Sequence, residues 1–80
     1  MKIHTLFFGI TADIVQDSQL FISVKTRCSL ADFKHLLQAK YPALTKLDSY
    51  AFAVNETYAT DDVLLQENDV VAVIPPVSGG

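Results

Sequence analysis

Ser29-Leu30-Ala31-Asp32-Phe33-Lys34-His35-Leu36-Leu37-Gln38-Ala39-Lys40-Tyr41-Pro42 is the stretch that decides the fold. Ser29 followed three residues later by Asp32 has the form of a capping box, with Ser at the N-cap and an acid at N3. Leu30, Phe33, Leu36, Leu37 and Tyr41 then recur at helical spacing and form one apolar stripe, with Lys34, His35 and Gln38 outside it. Pro42 ends the helix, because the residue before a proline is pushed out of the helical region. A lone helix with one apolar stripe has to lie across a sheet face to bury it.

The flanking residues supply that sheet. Ile3 to Phe8 is β-branched and aromatic and reads as a strand buried mostly on both faces, closed by Gly9. Thr11 to Gln16 fits one helical turn with Thr11 as N-cap. After the turn signal Asp17-Ser18-Gln19, the residues from Leu20 to Thr26 alternate. Leu20, Ile22 and Val24 form an apolar face against Phe21, Ser23 and Lys25, so this is a half-buried strand paired with the first as an antiparallel hairpin. Beyond the helix, Tyr50 to Asn55 reads as a third strand. Asn55-Glu56 turns tightly into a short strand at Thr57-Tyr58-Ala59, since Asn tolerates the left-handed conformation. Thr60-Asp61-Asp62 breaks the pattern, Val63-Leu64-Leu65 is a short apolar run, and Glu67-Asn68-Asp69 is a turn. Val70 to Ile74 is the strongest strand signal in the chain. The order β-β-α-β-β-β predicts an α+β protein of the β-grasp, or ubiquitin-like, fold: a mixed sheet of about five strands with one main helix on one face. Residues 1–80 are expected to form one domain with an extended tail at 75–80.

The chain has 80 residues, half of them hydrophobic, and a net charge of −3. A domain this small hides only about 60–65% of the surface of its unfolded chain, which disfavours a deep catalytic cleft and favours a carrier or binding module. The mean hydropathy of +0.28 fits either an apolar patch covered by a partner or a small core rich in Val, Leu and Phe. Lys2, Lys25, Arg27, Lys34, Lys40 and Lys46 are scattered, so no basic stripe exists to neutralise phosphates and nucleic acid is not an expected partner. No run approaches the ~18 apolar residues of a membrane helix, and no membrane role is expected. Met1-Lys2-Ile3-His4-Thr5 lacks a signal peptide's layout, and the single Cys excludes an internal disulfide; both fit the cytoplasm.

After Ile74 the chain reads Pro75-Pro76-Val77-Ser78-Gly79-Gly80. Proline lacks an N–H and fixes φ, so Pro75-Pro76 stops strand pairing and stiffens the chain in extended form. Six residues fully extended reach about 20 Å. The result is a rod with a slender tip, able to enter a narrow pocket. Two of the three glycines are Gly79 and Gly80. At average usage a Gly-Gly ending would arise by chance about once in 200 chains, so the pair is not background. A carboxylate is a poor electrophile until converted to a mixed anhydride, and an enzyme doing so must bring ATP to the terminal carbonyl. A side chain beside that carbonyl would obstruct it, and a Cβ would restrict the backbone bend.

Val-Ile-Pro-Pro-Val-Ser-Gly-Gly at the end, Leu-x-x-x-Asp-Val-Val-Ala from Leu65 to Ala72, Ala53-Val54-Asn55 followed by Thr57, and Leu6-Phe7-Phe8 together resemble the small, sulfur-carrier subunits of molybdopterin synthases. The resemblance covers essentially the whole chain. It implies that an ATP-dependent activating enzyme adenylates Gly80, that the adenylate is exchanged for sulfur to give a thiocarboxylate, and that the tail then enters the large synthase subunit. There the sulfur passes to cyclic pyranopterin monophosphate in molybdenum cofactor biosynthesis, usually within a heterotetramer. On this resemblance the chain is no enzyme alone: the active site lies on the large subunit, and ATP is used by the activating enzyme rather than held by the carrier. It further implies that Gly79, Ser78, Val77, Pro76 and Pro75 line the entry channels of both partners, and that Ile74 and Tyr58 present an apolar patch to them. Tyr58 stands where relatives more often carry a smaller aliphatic residue. Two further departures are Ala12-Asp13, where relatives often have an Arg-Glu pair, and Glu67-Asn68-Asp69 in place of Asp-Gly-Asp. The alternatives that share a Gly-Gly ending are a thiamine-pathway sulfur carrier, usually shorter and without the double proline, and a ubiquitin-like protein modifier.

The remaining reactive side chains suggest no second chemistry. Cys28 precedes the helix N-terminus, where a thiol pKa can fall, but neither His4 nor His35 bears an evident relation to it, and it reads as a small filler. His35 reads as a solvated surface residue. One Cys and two His without ligand spacing give no metal site. Asp61-Asp62 reads as a turn, and no Gly-rich phosphate loop is present.

Overall fold

A computed structural model of the chain describes residues 1–47 and 50–76. The elements run β1 (Lys2–Phe7), α1 (Ile10–Val15), β2 (Gln19–Ser23), α2 (Leu30–Lys40), a 3-10 helix (Pro42–Lys46), β3 (Ala51–Val54), β4 (Thr57–Tyr58) and β5 (Val70–Ile74). The strands form one mixed sheet in the order β2-β1-β5-β3-β4. The hairpin partners β1 and β2 are antiparallel, β5 lies parallel to β1, and β3 is antiparallel to both β5 and β4. This is the expected β-grasp architecture, with the last strand at the centre.

The main helix forms for the reason its sequence gives. Ser29 Oγ accepts from the Asp32 N–H at 3.1 Å, and Asp32 Oδ2 accepts from the Ser29 N–H at 3.4 Å, closing the capping box. Tyr41 leaves the helical region at φ −131°, ψ 78°, as a residue before proline must. Leu30, Phe33 and Leu37 are buried against Ile3, Val71 and Val73 of the sheet. Full burial of one such side chain contributes about 1.5–3 kcal/mol. Leu36 and Tyr41 are only partly covered, at the rim of the stripe. Pro42 does not release the chain into a loop. It opens the 3-10 helix, whose Leu44 is fully buried, so a core residue lies where no element was expected.

Three local expectations are corrected. First, β1 is not buried on both faces: Ile3, Thr5 and Phe7 are buried, whereas His4 and Leu6 are half-buried. With a single main helix, the described residues cover only one sheet face. Second, Thr11 does not cap the first helix. Gly9 holds that position and Thr11 is the second residue of the helix, fully buried. Third, the strands are shorter at their ends: the second stops at Ser23, the third spans only Ala51–Val54, and Ala59 lies beyond the fourth. The apolar run at 63–65 makes a single bridge from Leu64 to Ser29 and buries Leu65.

The turns follow expectation. Asn55 and Glu56 have φ of 50° and 72°, two consecutive left-handed residues that match the twist of the β3–β4 hairpin. Asn55 also ties this hairpin to β5: its Oδ1 accepts from the Val70 N–H at 3.0 Å and its Nδ2 donates to Asp69 Oδ1 at 2.9 Å. Asn68 occupies the left-handed position (φ 70°) otherwise suited to Gly. Asp61 lies in a turn and pairs with Lys34 of α2 at 2.8 Å.

Candidate functional site: the root of the tail and the open sheet face

Register decides which side chains share the uncovered face. Residues paired across neighbouring strands point the same way. Ala53 pairs with Tyr58 on one side and with Ala72 on the other; Ala72 pairs with Leu6, and Ala51 with Ile74. Tyr58, Ile74, Leu6 and the three alanines therefore line one face, opposite the one that carries α2. Tyr58 is 72% exposed, and Ile74 and Leu6 are half-buried. The alanines make a low floor between these larger side chains, so a partner's side chains can come close to the strands. Tyr58 and Ile74, expected to share an apolar patch, are thus brought to the same face. Leu6 was not assigned to this patch from the sequence because reading β1 as doubly buried concealed its outward side; strict alternation from Ile3 would have exposed it.

The tail begins at the end of the central strand. Pro75 is half-buried and Pro76 exposed. Val77, Ser78, Gly79 and Gly80, expected to enter partner channels, lie outside the described residues. The turn between β1 and α1 grips the root of the tail. Gly9 adopts φ 55°, ψ −133°, a conformation that L side chains rarely adopt. A Cβ placed there would stand 3.1 Å from Pro75 Cγ. Next to it, Thr11 Oγ1 donates to the Phe8 carbonyl at 2.6 Å, accepts from the Phe8 N–H at 3.0 Å, and lies 3.3 Å from the Val73 carbonyl. One hydroxyl thus fixes the turn against the last residues of β5. The clue in the sequence was an isolated Gly after a strand, which marks a close backbone approach.

Replacing Gly9 by Val is expected to lower stability by about 1–3 kcal/mol through backbone strain alone, read by urea unfolding. Adding Pro75→Ala, which removes the contacted Cγ, should recover part of any further loss. A Gly9→Val protein as stable as the parent would show that this turn can relax freely.

Cys28 is 3% exposed, and its Sγ lies 3.4 Å from the Ser29 carbonyl. Burial pushes its thiol pKa up, the nearby Asp32 carboxylate pushes the same way, and Lys25 opposes them. A raised pKa leaves less thiolate at neutral pH, so this thiol should alkylate at least about tenfold more slowly in the native protein than in urea. Equal rates would contradict the filler reading. His4 lies on the open face, on the other side of the sheet from α2, and His35 is exposed. Among the described residues no group of three or more His, Cys, Asp or Glu is placed to hold a metal ion. No helix among them is long and apolar enough to cross a membrane.

A β-grasp sheet with a Gly-Gly ending beyond its central strand defines a ubiquitin-like class of small protein. Residues 5–80 match the model of the ThiS family, and the chain belongs to that family. It is 31% identical over its full length to a molybdopterin synthase sulfur carrier subunit of Drosophila erecta, of which it covers 92%. Its fold resembles one chain of a complex of subunits 1 and 2 of the molybdopterin-converting factor of Helicobacter pylori, with a TM-score of 0.71, 27% identity and full coverage of both chains. SAMP1 from Haloferax volcanii shares the fold more closely, with a TM-score of 0.87 at 21% identity and full coverage of both chains.

Proposed function

We propose that this chain is the sulfur-carrier subunit of a molybdopterin synthase, with Gly80 as the loaded residue. The observation that carries the reading is the Pro75-to-Gly80 ending placed directly beyond the central strand, in a chain whose relatives over its whole length are sulfur carriers. The terminal carboxylate of Gly80 attacks the α-phosphate of ATP on the activating enzyme, releasing pyrophosphate and leaving an acyl adenylate. A sulfide-equivalent donor then displaces AMP, giving the thiocarboxylate. In the large subunit this sulfur passes to cyclic pyranopterin monophosphate, and water restores the carboxylate. The active sites belong to the partners: the carrier supplies the reactive carbonyl, Gly79, Ser78, Val77, Pro76 and Pro75 line the entry channels, and Tyr58 and Ile74 meet the partner surface. The complex of two subunits in the Helicobacter pylori relative supports a large-subunit partner. The carrier works in the cytoplasm, where its activating enzyme finds ATP, and it needs no cofactor of its own.

Intact-mass spectrometry tests the reading. After incubation with the activating enzyme, ATP and a sulfur donor, the chain should gain the mass of one sulfur-for-oxygen exchange, localised to Gly80. An unchanged mass, or the appearance of larger conjugates in place of the exchange, would overturn it.

A further inference from the structure

Among the described residues the outer edge of β2 pairs with no other strand. Edge strands in monomers are commonly blunted by Lys, Pro, a bulge or extreme shortness. The other edge, β4, is two residues long. β2, Gln19-Leu20-Phe21-Ile22-Ser23, has no charge and no proline, and its Phe21 is 69% exposed.

Its backbone groups are free in a definite pattern. The Phe7 N–H donates to the Ser18 carbonyl at 2.9 Å, and the Val24 N–H to the Met1 carbonyl at 2.8 Å. In the antiparallel β1–β2 register these are the hydrogen-bonded pairs, and they alternate with non-bonded ones. Positions 18, 20, 22 and 24 therefore turn their N–H and C=O groups toward β1. Gln19, Phe21 and Ser23 turn theirs outward.

We propose that β2 is a self-pairing edge, joining two copies of this chain through an antiparallel β2–β2 ladder about a two-fold axis at Phe21. The strand is chemically palindromic about that residue: polar, aliphatic, aromatic, aliphatic, polar. The two-fold puts Phe21 opposite its own copy and Gln19 opposite Ser23, and each pair exchanges both N–H···O=C bonds with the groups that face outward. Leu20 meets Ile22 on the helix-covered face, extending the apolar layer across the junction. Continuing the register places Asp17 opposite Lys25 at both ends, so the charges that flank the strand are complementary. Both residues are exposed in the monomer. The contact is isologous and closes on itself, giving a dimer and no fibre. Phe21 is held ready for it: its ring stacks on His4 with centroids 4.6 Å apart and planes at 14°, and His4 Nε2 lies 2.8 Å from Gln19 Oε1. Such pre-organisation lowers the ordering cost of association. Because β1 separates β2 from β5, Ile74, the root of the tail at Pro75 and Tyr58 stay clear of the junction.

Sedimentation equilibrium of the full chain, up to about millimolar concentration, tests the proposal. The mass should rise from 8.8 kDa toward twice that value. Phe21→Lys, Asp17→Lys and Lys25→Asp should each raise the dissociation constant about tenfold or more. The double variant Asp17→Lys/Lys25→Asp should recover most of the loss, because it restores opposite charges across the two-fold. These positions are exposed, and far-ultraviolet circular dichroism checks that each variant folds. A mass that stays monomeric, a dimer indifferent to Phe21→Lys, or a double variant no better than the single ones would overturn the proposal.

Discussion

Deleting Gly80 is expected to end sulfur loading while leaving the unfolding curve of the chain unchanged. The sheet ends at Ile74 and every described core residue precedes it, so the deletion removes none of the described core. Surface changes remote from packing usually shift stability by no more than about 0.5 kcal/mol. The chemistry responds very differently. One residue of extended chain is about 3.4 Å, as long as the approach distance between reacting atoms, and a misplacement of about 1 Å can already cost a hundredfold. Shortening the tail therefore withdraws the carbonyl from ATP even though Gly79 would again end the chain in glycine. A C-terminal tag should act the same way by replacing the reactive carboxylate with a peptide bond. Loading is read by intact mass and stability by urea unfolding. A truncated or tagged chain that loads at the parental rate would end the proposal that Gly80 carries the sulfur.

Replacing Ile74 by Asp is expected to weaken binding to the large synthase subunit by about tenfold to a hundredfold, as loss of a buried interface anchor does. Ile74 closes the open face beside Ala51 and leads directly into Pro75, so a partner that receives the tail has to cover it. A carboxylate there would be stripped of water without a counter-charge from the carrier, since its ladder partner Ala51 and the next pair on that face, Ala53 and Ala72, offer none. The fold itself should survive, because Ile74 is only half-buried and belongs to the uncovered face. Isothermal titration with the large subunit measures the change. Unchanged affinity would place the partner elsewhere on the carrier.

The main helix and the topology were legible because α2 carries its own boundaries, a capping box at one end and a proline at the other. A single amphipathic helix among strands leaves few arrangements. The turns were equally legible: Asn55 and Asn68 stand where left-handed residues are required, a constraint local to a few residues. What escaped depends on residues distant in sequence. Thr11 looked like a helix cap because its hydroxyl could serve as one. Its actual contacts, the Phe8 backbone and the Val73 carbonyl, arise only when β5 docks beside β1. Leu44 fell in a stretch to which no element was assigned, because a 3-10 helix has no periodicity long enough to read. Gly9 could be recognised as a turn, but its meeting with Pro75 joins residues from opposite ends of the chain. The exposed side of β1 was misread because a β-branched and aromatic stretch suits a strand whether one face or two is covered. The tail motif itself was conspicuous, and Val77 to Gly80 lie outside the described residues.

The place of β5 also governs how the domain answers a pull on its tail. A force applied beyond Pro76 runs along β5, which is flanked by β1 on one side and β3 on the other. It cannot peel this strand from an edge, one hydrogen bond at a time. It has to slide the strand lengthwise past both neighbours, loading the parallel and the antiparallel ladder together. Resistance to forced opening is set by the rate of unfolding, and this shear geometry makes extraction from the C-terminal side the slow direction. A partner that tugs on the tail during docking or release would transmit the load to the whole sheet without unravelling it.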